Sequence, residues 1–357
     1  MTEGNDASRY PQPPAGPPPI PERVIYVLPR RGIIRSILGY IGVLLVVLSI
    51  LLNFVLLARV ATLSGVEDEL QEKYVSGSAT SAHKVVVIDV SGLIMESSEG
   101  LFGVGSDFQD VVQQLKKARE DEKVVGVLLE VNSPGGSVTA SDILLHEVEL
   151  VKGAKKKVVV WMGSLAASGG YYISCKADTI FATPTTLTGS IGVVLGLYNL
   201  EGLSEKVGVR PVLITRGEFK DMGSPFREMT DAERRKFDAL ADSAYARFKQ
   251  VIRDGRGTKL RKDVEVLANG AIITSEEALL DGLIDYVGYL EEAMDEVKGK
   301  YPDAAVVRYH KPSGLLSALL AGSSTPSHEI RVHLDAPLPA LTPGLYYLWT
   351  PGAAMGR

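Results

Sequence analysis

The sequence predicts an α/β domain with a largely parallel sheet, carried behind one membrane-spanning helix. Three observations predict it. Between residues 83 and 298, β-branched runs alternate with helical patterns, the order that builds parallel strands covered by helices. Residues 37–58, ILGYIGVLLVVLSILLNFVLLA, carry no charge, and roughly 20 apolar residues cross a bilayer as a helix. The chain has 357 residues, 45% of them hydrophobic, enough for one large domain or two small ones. A net charge of -5 argues against a nucleic-acid binder, which is usually basic. The single cysteine, Cys175, excludes an internal disulfide and a cysteine-built zinc site.

Each element follows in order. Residues 1–36 form a proline-rich tail around RYPQPPAGPPPIP, which is too polar and too rich in proline to build a core. Residues 37–58 are the transmembrane helix. Arg23, Arg30, Arg31 and Arg35 precede it, and Glu67, Asp68 and Glu69 follow it. Positive charge stays inside, so the tail is expected in the cytoplasm and the rest of the chain outside it. Residues 59–82 read as a polar linker, with a short helix around VEDELQEKY. The folded region opens with KVVVIDVSGLI, a buried strand by its β-branched content. DFQDVVQQLKKAREDE is amphipathic, with Phe108, Val111, Val112 and Leu115 on one face. VVGVLLEVN is a second strand, TASDILLHEVELVKG a helix, and KKVVVWMG a third strand. TDAERRKFDALADSAYARFKQVIRD is a helix opened by a Thr230–Glu233 capping box, with Phe237, Leu240, Ala244, Phe248 and Val251 as its apolar stripe. Residues 299–357 form an extension expected to be partly extended or disordered, ending in the aromatic patch LYYLW.

Two glycine-rich strand-to-helix turns carry the candidate chemistry. In GSLAASGGYY, Ser168 follows a strand and precedes a helix. It reads either as a nucleophile, with the Gly169 amide directed at an oxyanion, or as a plain N-cap. NSPGGS, residues 132–137, is a second turn able to present a bare backbone amide. An oxyanion hole needs two converging donors, so the pair says more than either turn alone. A serine nucleophile needs a base, and no histidine lies between Ser168 and Tyr309. His146 sits in a helix between Leu145 and Glu147 and reads as a surface residue. Lys220, between Phe219 and Met222 in RGEFKDMGSPFREMT, is the alternative. Lysine accepts a proton only where desolvation lowers its pKa, so Asp221 has to point away from it. A solvated loop lysine is the competing reading.

Six segments in this order, IDVSGLI, EVNSPGGSV, GSLAASGGYYIS, TLTGSIGVV, GEFKDMGSPFREMT and ITSEEALLDGLIDYVG, resemble the bacterial signal peptide peptidase A family. These are membrane-anchored serine proteases of the Clp protease/crotonase superfamily, whose domain repeats β-β-α units. The resemblance covers roughly residues 83–295 and implies a Ser-Lys dyad. Ser168 matches the nucleophile, Lys220 the base, and Ser190 the serine that orients the lysine. Gly135 and Gly169 match the oxyanion donors. It further implies no metal or cofactor and a bacterial inner-membrane location. The implied assembly is a homo-oligomeric ring with shared active sites, and the implied substrates are cleaved signal peptides and other short or unfolded chains. Three other readings share parts of this pattern: a membrane-protein quality-control protease, a crotonase-type acyl-CoA enzyme and an inactive membrane scaffold. The extended, apolar ending suggests a segment that docks in the chain's own substrate groove.

Overall fold

The computed structural model of the chain describes residues 31–64, 70–96, 108–311 and 344–349. Residues Met1–Gly65 and Val66–Arg357 form two separate compact units. In the first, α1 (Arg31–Ser64) runs for 34 residues, longer at both ends than the uncharged run. Its stretch Arg35–Leu56 has a mean hydropathy of 2.5 and is long and apolar enough to cross a membrane. The apolar side chains from Ile37 to Leu56 are exposed, as the helix has no partner in the chain to cover them. The one strongly polar side chain in the stretch, Asn53, donates to the Ser49 carbonyl at 2.7 Å, which satisfies it inside the helix. The proline-rich tail lies outside the described residues up to position 30.

The second unit alternates strands and helices. In chain order they are β1 (Gln71–Ser76), β2 (Lys84–Ser91), α2 (Phe108–Glu120), β3 (Val124–Ser133), β4 (Gly135–Ser137) and α3 (Val138–Gly153). Then come β5 (Lys157–Ala167), α4 (Gly169–Ser174), β6 (Thr179–Ala182), β7 (Leu187–Gly189), β8 (Val194–Gly196), α5 (Glu201–Val207) and α6 (Asp231–Arg256). The last elements are α7 (Val264–Leu267), β9 (Ile272–Thr274), α8 (Ser275–Leu280), β10 (Tyr286–Val287), α9 (Leu290–Lys298), β11 (Ala305–His310) and β12 (Gly344–Leu348).

The main sheet is ordered β1-β11-β2-β3-β5-β6-β10, with β7 paired to β5 and β9 to β7. Neighbours from β11 to β10 run parallel, while β1 and β9 are antiparallel to theirs. This is the α/β class the sequence predicts. Strand alternation separates two cores. Val86, Ile88, Leu129, Val158 and Val160 pack toward α2, α3 and α6. Val85, Val87, Leu128 and Val159 pack toward α9 through Ala293 and Val297. Burying each such aliphatic side chain contributes about 1.5–3 kcal/mol.

The sheet extends past both edges of the expected 83–298 domain. QEKYVS, placed in a polar linker with a short helix, is instead strand β1, paired with β11 from Gln71↔His310 to Ser76↔Val306. β11 and β12 both fall in the expected extension. The capping box of α6 is present as read: Thr230 Oγ1 accepts from the Glu233 amide at 3.2 Å and Glu233 Oε2 from the Thr230 amide at 2.9 Å. Leu240, assigned to the apolar stripe, is exposed.

Candidate active site

The site forms where β3 and β5 end. Both strands run parallel, so their exits lie side by side, and a β5–β7 ladder extends past the turn. That ladder pairs Ala167 with Gly189. The Thr188 hydroxyl donates to the Ala166 carbonyl at 2.6 Å and that of Thr186 to Gly163 at 2.6 Å. These bonds fix β7 against β5 and set Ser168 beside Ser190, one residue beyond the last ladder pair. The Ser168 amide donates to the Gly189 carbonyl at 2.8 Å, and the Ser190 amide to Ala271 at 2.7 Å.

Three non-glycine residues among those described have positive φ: Lys155, Ser168 and Ser190. Two of the three are the predicted nucleophile and its predicted supporting serine. Ser168 has φ 54 and ψ -114, at the N-cap position of α4, yet its side chain makes no capping hydrogen bond. It is only 1% exposed. A residue holding that conformation costs about 1–3 kcal/mol. A cap would recover some of that cost through its hydroxyl, and this one does not, so the plain N-cap reading loses its support. A serine on a strained strand-to-helix turn is the arrangement of a nucleophile elbow.

The two glycine turns touch. A Cβ on Gly169 would lie 3.0 Å from Gly135 Cα and 2.6 Å from Ser141 Oγ, and one on Gly135 would lie 2.6 Å from the Gly169 nitrogen. Neither position has room for a side chain, and Gly135 has φ +99, open to glycine at little cost. Ser133 shapes the turn, a role not visible in its sequence context. Its hydroxyl donates to the Gly92 carbonyl at 2.6 Å and accepts from the Gly135 amide at 3.0 Å. The Gly135 amide therefore already has a partner in this structure.

Lys220 stands apart. It is exposed on the loop between α5 and α6, and among the described residues no hydrogen bond or ion pair joins it to Ser168 or Ser190. Its neighbour Asp221 is engaged elsewhere, as the base reading requires. Arg227 donates to Asp221 Oδ2 at 3.1 Å and to Glu233 Oε2 at 2.9 Å, tying the loop to the start of α6. Gly223 packs on Phe237 of α6 and on Leu197 just after β8. Upstream on the same loop, Val212 and Ile214 are 87% and 85% exposed. The structure thus brings Ser168, Ser190, Gly135 and Gly169 together and leaves Lys220 outside that group. His146 is exposed on α3. No group of three or more His, Cys, Asp or Glu residues is placed to hold a metal among the described residues.

β12 lies across the site. It pairs antiparallel with β4, Tyr347 opposite Gly136 and Leu348 opposite Gly135. It also pairs antiparallel with β8, Leu345 opposite Leu195. The Trp349 amide donates to the Pro134 carbonyl at 2.9 Å. The groove docking suggested by the apolar ending is thus seen as a strand inserted between β4 and β8.

The fold and the paired turns define a serine peptidase of the Clp protease type. The Clp protease family model matches residues 104–188 and that of peptidase family S49 residues 151–301. An Enterococcus faecium protein that carries the name signal peptide peptidase SppA is 39% identical over 246 residues, 68% of this chain and 71% of its own length. Protease 4 of Salmonella typhi is 34% identical over 216 residues, 60% of this chain and 34% of its own length. The chloroplastic serine protease SPPA of Arabidopsis thaliana is 31% identical over 259 residues, 70% of this chain and 38% of its own length. The chain thus spans about a third of the length of the latter two. It belongs to peptidase family S49.

Proposed function

We propose that the chain is a membrane-anchored endopeptidase working through a Ser168–Lys220 dyad. The observation that carries this reading is Ser168 itself, held at φ 54 with its hydroxyl unused as a cap and its turn against the SPGG turn. Ser168 Oγ attacks the peptide carbonyl carbon and its proton passes to Lys220 Nζ. The amides of Gly169 and Gly135 hold the oxyanion, the latter exchanging its Ser133 partner for the substrate. Lys220 then protonates the leaving amine, and water hydrolyses the acyl-enzyme. Ser190 orients the lysine.

The exposed position of Lys220 in a single chain supports a base that serves the nucleophile of a neighbouring copy. The adjoining apolar residues Val212 and Ile214 support a homo-oligomer, a ring with shared sites. The names of the relatives support cleaved signal peptides and other short or unfolded chains as substrates. The arginines before α1 support a cytoplasmic N-terminus, with the peptidase unit on the far side of the inner membrane.

Fluorophosphonate labelling of the detergent-solubilised protein, mapped by mass spectrometry, tests the nucleophile; label anywhere but Ser168 overturns it. Ser168→Ala and Lys220→Ala each abolish peptide hydrolysis in a folded protein. Mixing the two inactive variants restores part of the activity if sites are shared, whereas a dyad within one chain leaves the mixture inactive.

A further inference from the structure

Strands β4 and β8 are three residues each, and in their sheet β12 is the strand that joins them. β4 continues directly from the SPGG turn, and β8 lies four residues beyond Ser190. Without β12, these strands present two backbone edges across a gap one strand wide, directly over the catalytic turns. That is the geometry in which an extended peptide binds by strand addition. β12 also comes as close to those turns as a substrate backbone must, since a Cβ on Gly135 would lie 2.1 Å from the Tyr347 carbonyl oxygen.

The side chain of Tyr347 leaves this strand and is fully buried, 0% exposed. It packs against Tyr172 of α4 and Phe248 of α6, with ring centroids 4.9 and 4.7 Å away. Its hydroxyl donates to the Ala244 carbonyl at 2.7 Å. Tyr172 is itself positioned, donating to Asp142 Oδ1 at 2.5 Å, and Arg247 holds the same oxygen at 3.0 Å. A pocket with two aromatic walls and one carbonyl acceptor at its base suits a phenol ring. The aromatic contacts are worth about 0.5–1.5 kcal/mol per pair beyond burial.

We infer that this pocket selects an aromatic side chain, tyrosine before phenylalanine, in the extended peptides the enzyme cleaves, and that β12 is a built-in competitor whose Tyr347 fills it. The inference rests on the cleft serving the peptidase reaction proposed above. It has two consequences. Extended peptides with an aromatic residue at the Tyr347 position bind best, and access to Ser168 follows release of β12.

The test uses the full chain in detergent micelles and two readouts. The first is binding of a fluorescent peptide with the sequence of residues 344–349, GLYYLW. The Tyr347→Ala chain, its pocket vacated, binds this peptide, whereas the unmodified chain does not. A peptide altered to alanine at the Tyr347 position binds neither. The second readout is the rate of fluorophosphonate labelling of Ser168, expected to rise at least about tenfold in Tyr347→Ala as the competing strand is released. A chain carrying Leu195→Cys and Leu345→Cys, opposite one another on β8 and β12, covers the case in which Tyr347→Ala does not fold. Oxidation locks β12 in place and slows labelling, and reduction restores it. The inference is overturned if the folded Tyr347→Ala chain binds no peptide and labels at the unmodified rate, or if oxidised and reduced cysteine variants label alike. Peptide binding without any label at Ser168 leaves the pocket standing and removes the nucleophile assignment instead.

Discussion

Replacing Ser168 by glycine should stabilise the protein while abolishing its activity. The backbone at Ser168, φ 54 and ψ -114, is one that a Cβ disfavours, at a cost of about 1–3 kcal/mol. Glycine removes that cost, but its greater freedom in the unfolded chain takes back about 0.5–1 kcal/mol. The net gain is about 1 kcal/mol, or roughly 2–4 °C in Tm for a unit of this size. Ser168→Ala provides the control, because it also removes the hydroxyl but keeps the Cβ and hence the strain. Differential scanning calorimetry of the three proteins at one pH and detergent concentration separates the two effects. The expected order of Tm is the glycine variant above both the unmodified protein and the alanine variant. A glycine variant no more stable than the alanine variant refutes the claim that the turn stores strain at its nucleophile.

Other consequences are open to similar measurement. Arg256 is fully buried and pairs with Asp285 at 3.0 Å through each of two nitrogens, while donating to the Gly282 carbonyl at 3.0 Å. Arg256→Met leaves Asp285 without its buried partner and should cost about 3–5 kcal/mol, read as a lower urea midpoint. Burial pushes the Cys175 thiol up to about 12, so iodoacetamide at pH 8 should leave it unmodified until the protein unfolds. Hydrogen bonds from Arg227 and then from the Thr230 amide hold Glu233 down at about 2. Its folded value lies below its ordinary 4.5, so its stabilising contribution is present above pH 4.5 and lost as pH falls toward 2. The Tm difference between the unmodified protein and Glu233→Gln should narrow across that window, and a constant difference would refute the assignment.

How much of this was legible in the sequence depended on how local each feature is. The capping box of α6 is written in four consecutive residues, and the structure reproduces it. The buried strands β2, β3 and β5 were readable because both faces are covered, which leaves continuous β-branched runs. β1 was not readable. QEKYVS is exposed along its length, so no apolar alternation marks it, and only its ladder to β11 makes it a strand. The same holds for β11 and β12, whose partners are far away in sequence. At the site, the two turns showed their glycines, but the strain on Ser168 and the hydroxyl of Ser133 inside the SPGG turn exist only once the strands are paired. Asp221 had to face away from Lys220, yet the partner that takes it, Arg227, became visible only in the folded loop.

The pairing of β1 with β11 joins the two ends of the folded unit at one edge of its sheet. The backbone therefore enters and leaves the peptidase unit at neighbouring points, as a clasp closes a loop. A chain reconnected across that clasp and opened at a distant surface turn would keep every strand neighbour it has now. Trimming either side of the clasp has the opposite effect: loss of β11 bares the flank of β2 as an unpaired edge, an invitation to aggregation. The boundaries at which this unit is excised for study thus decide whether it stays soluble.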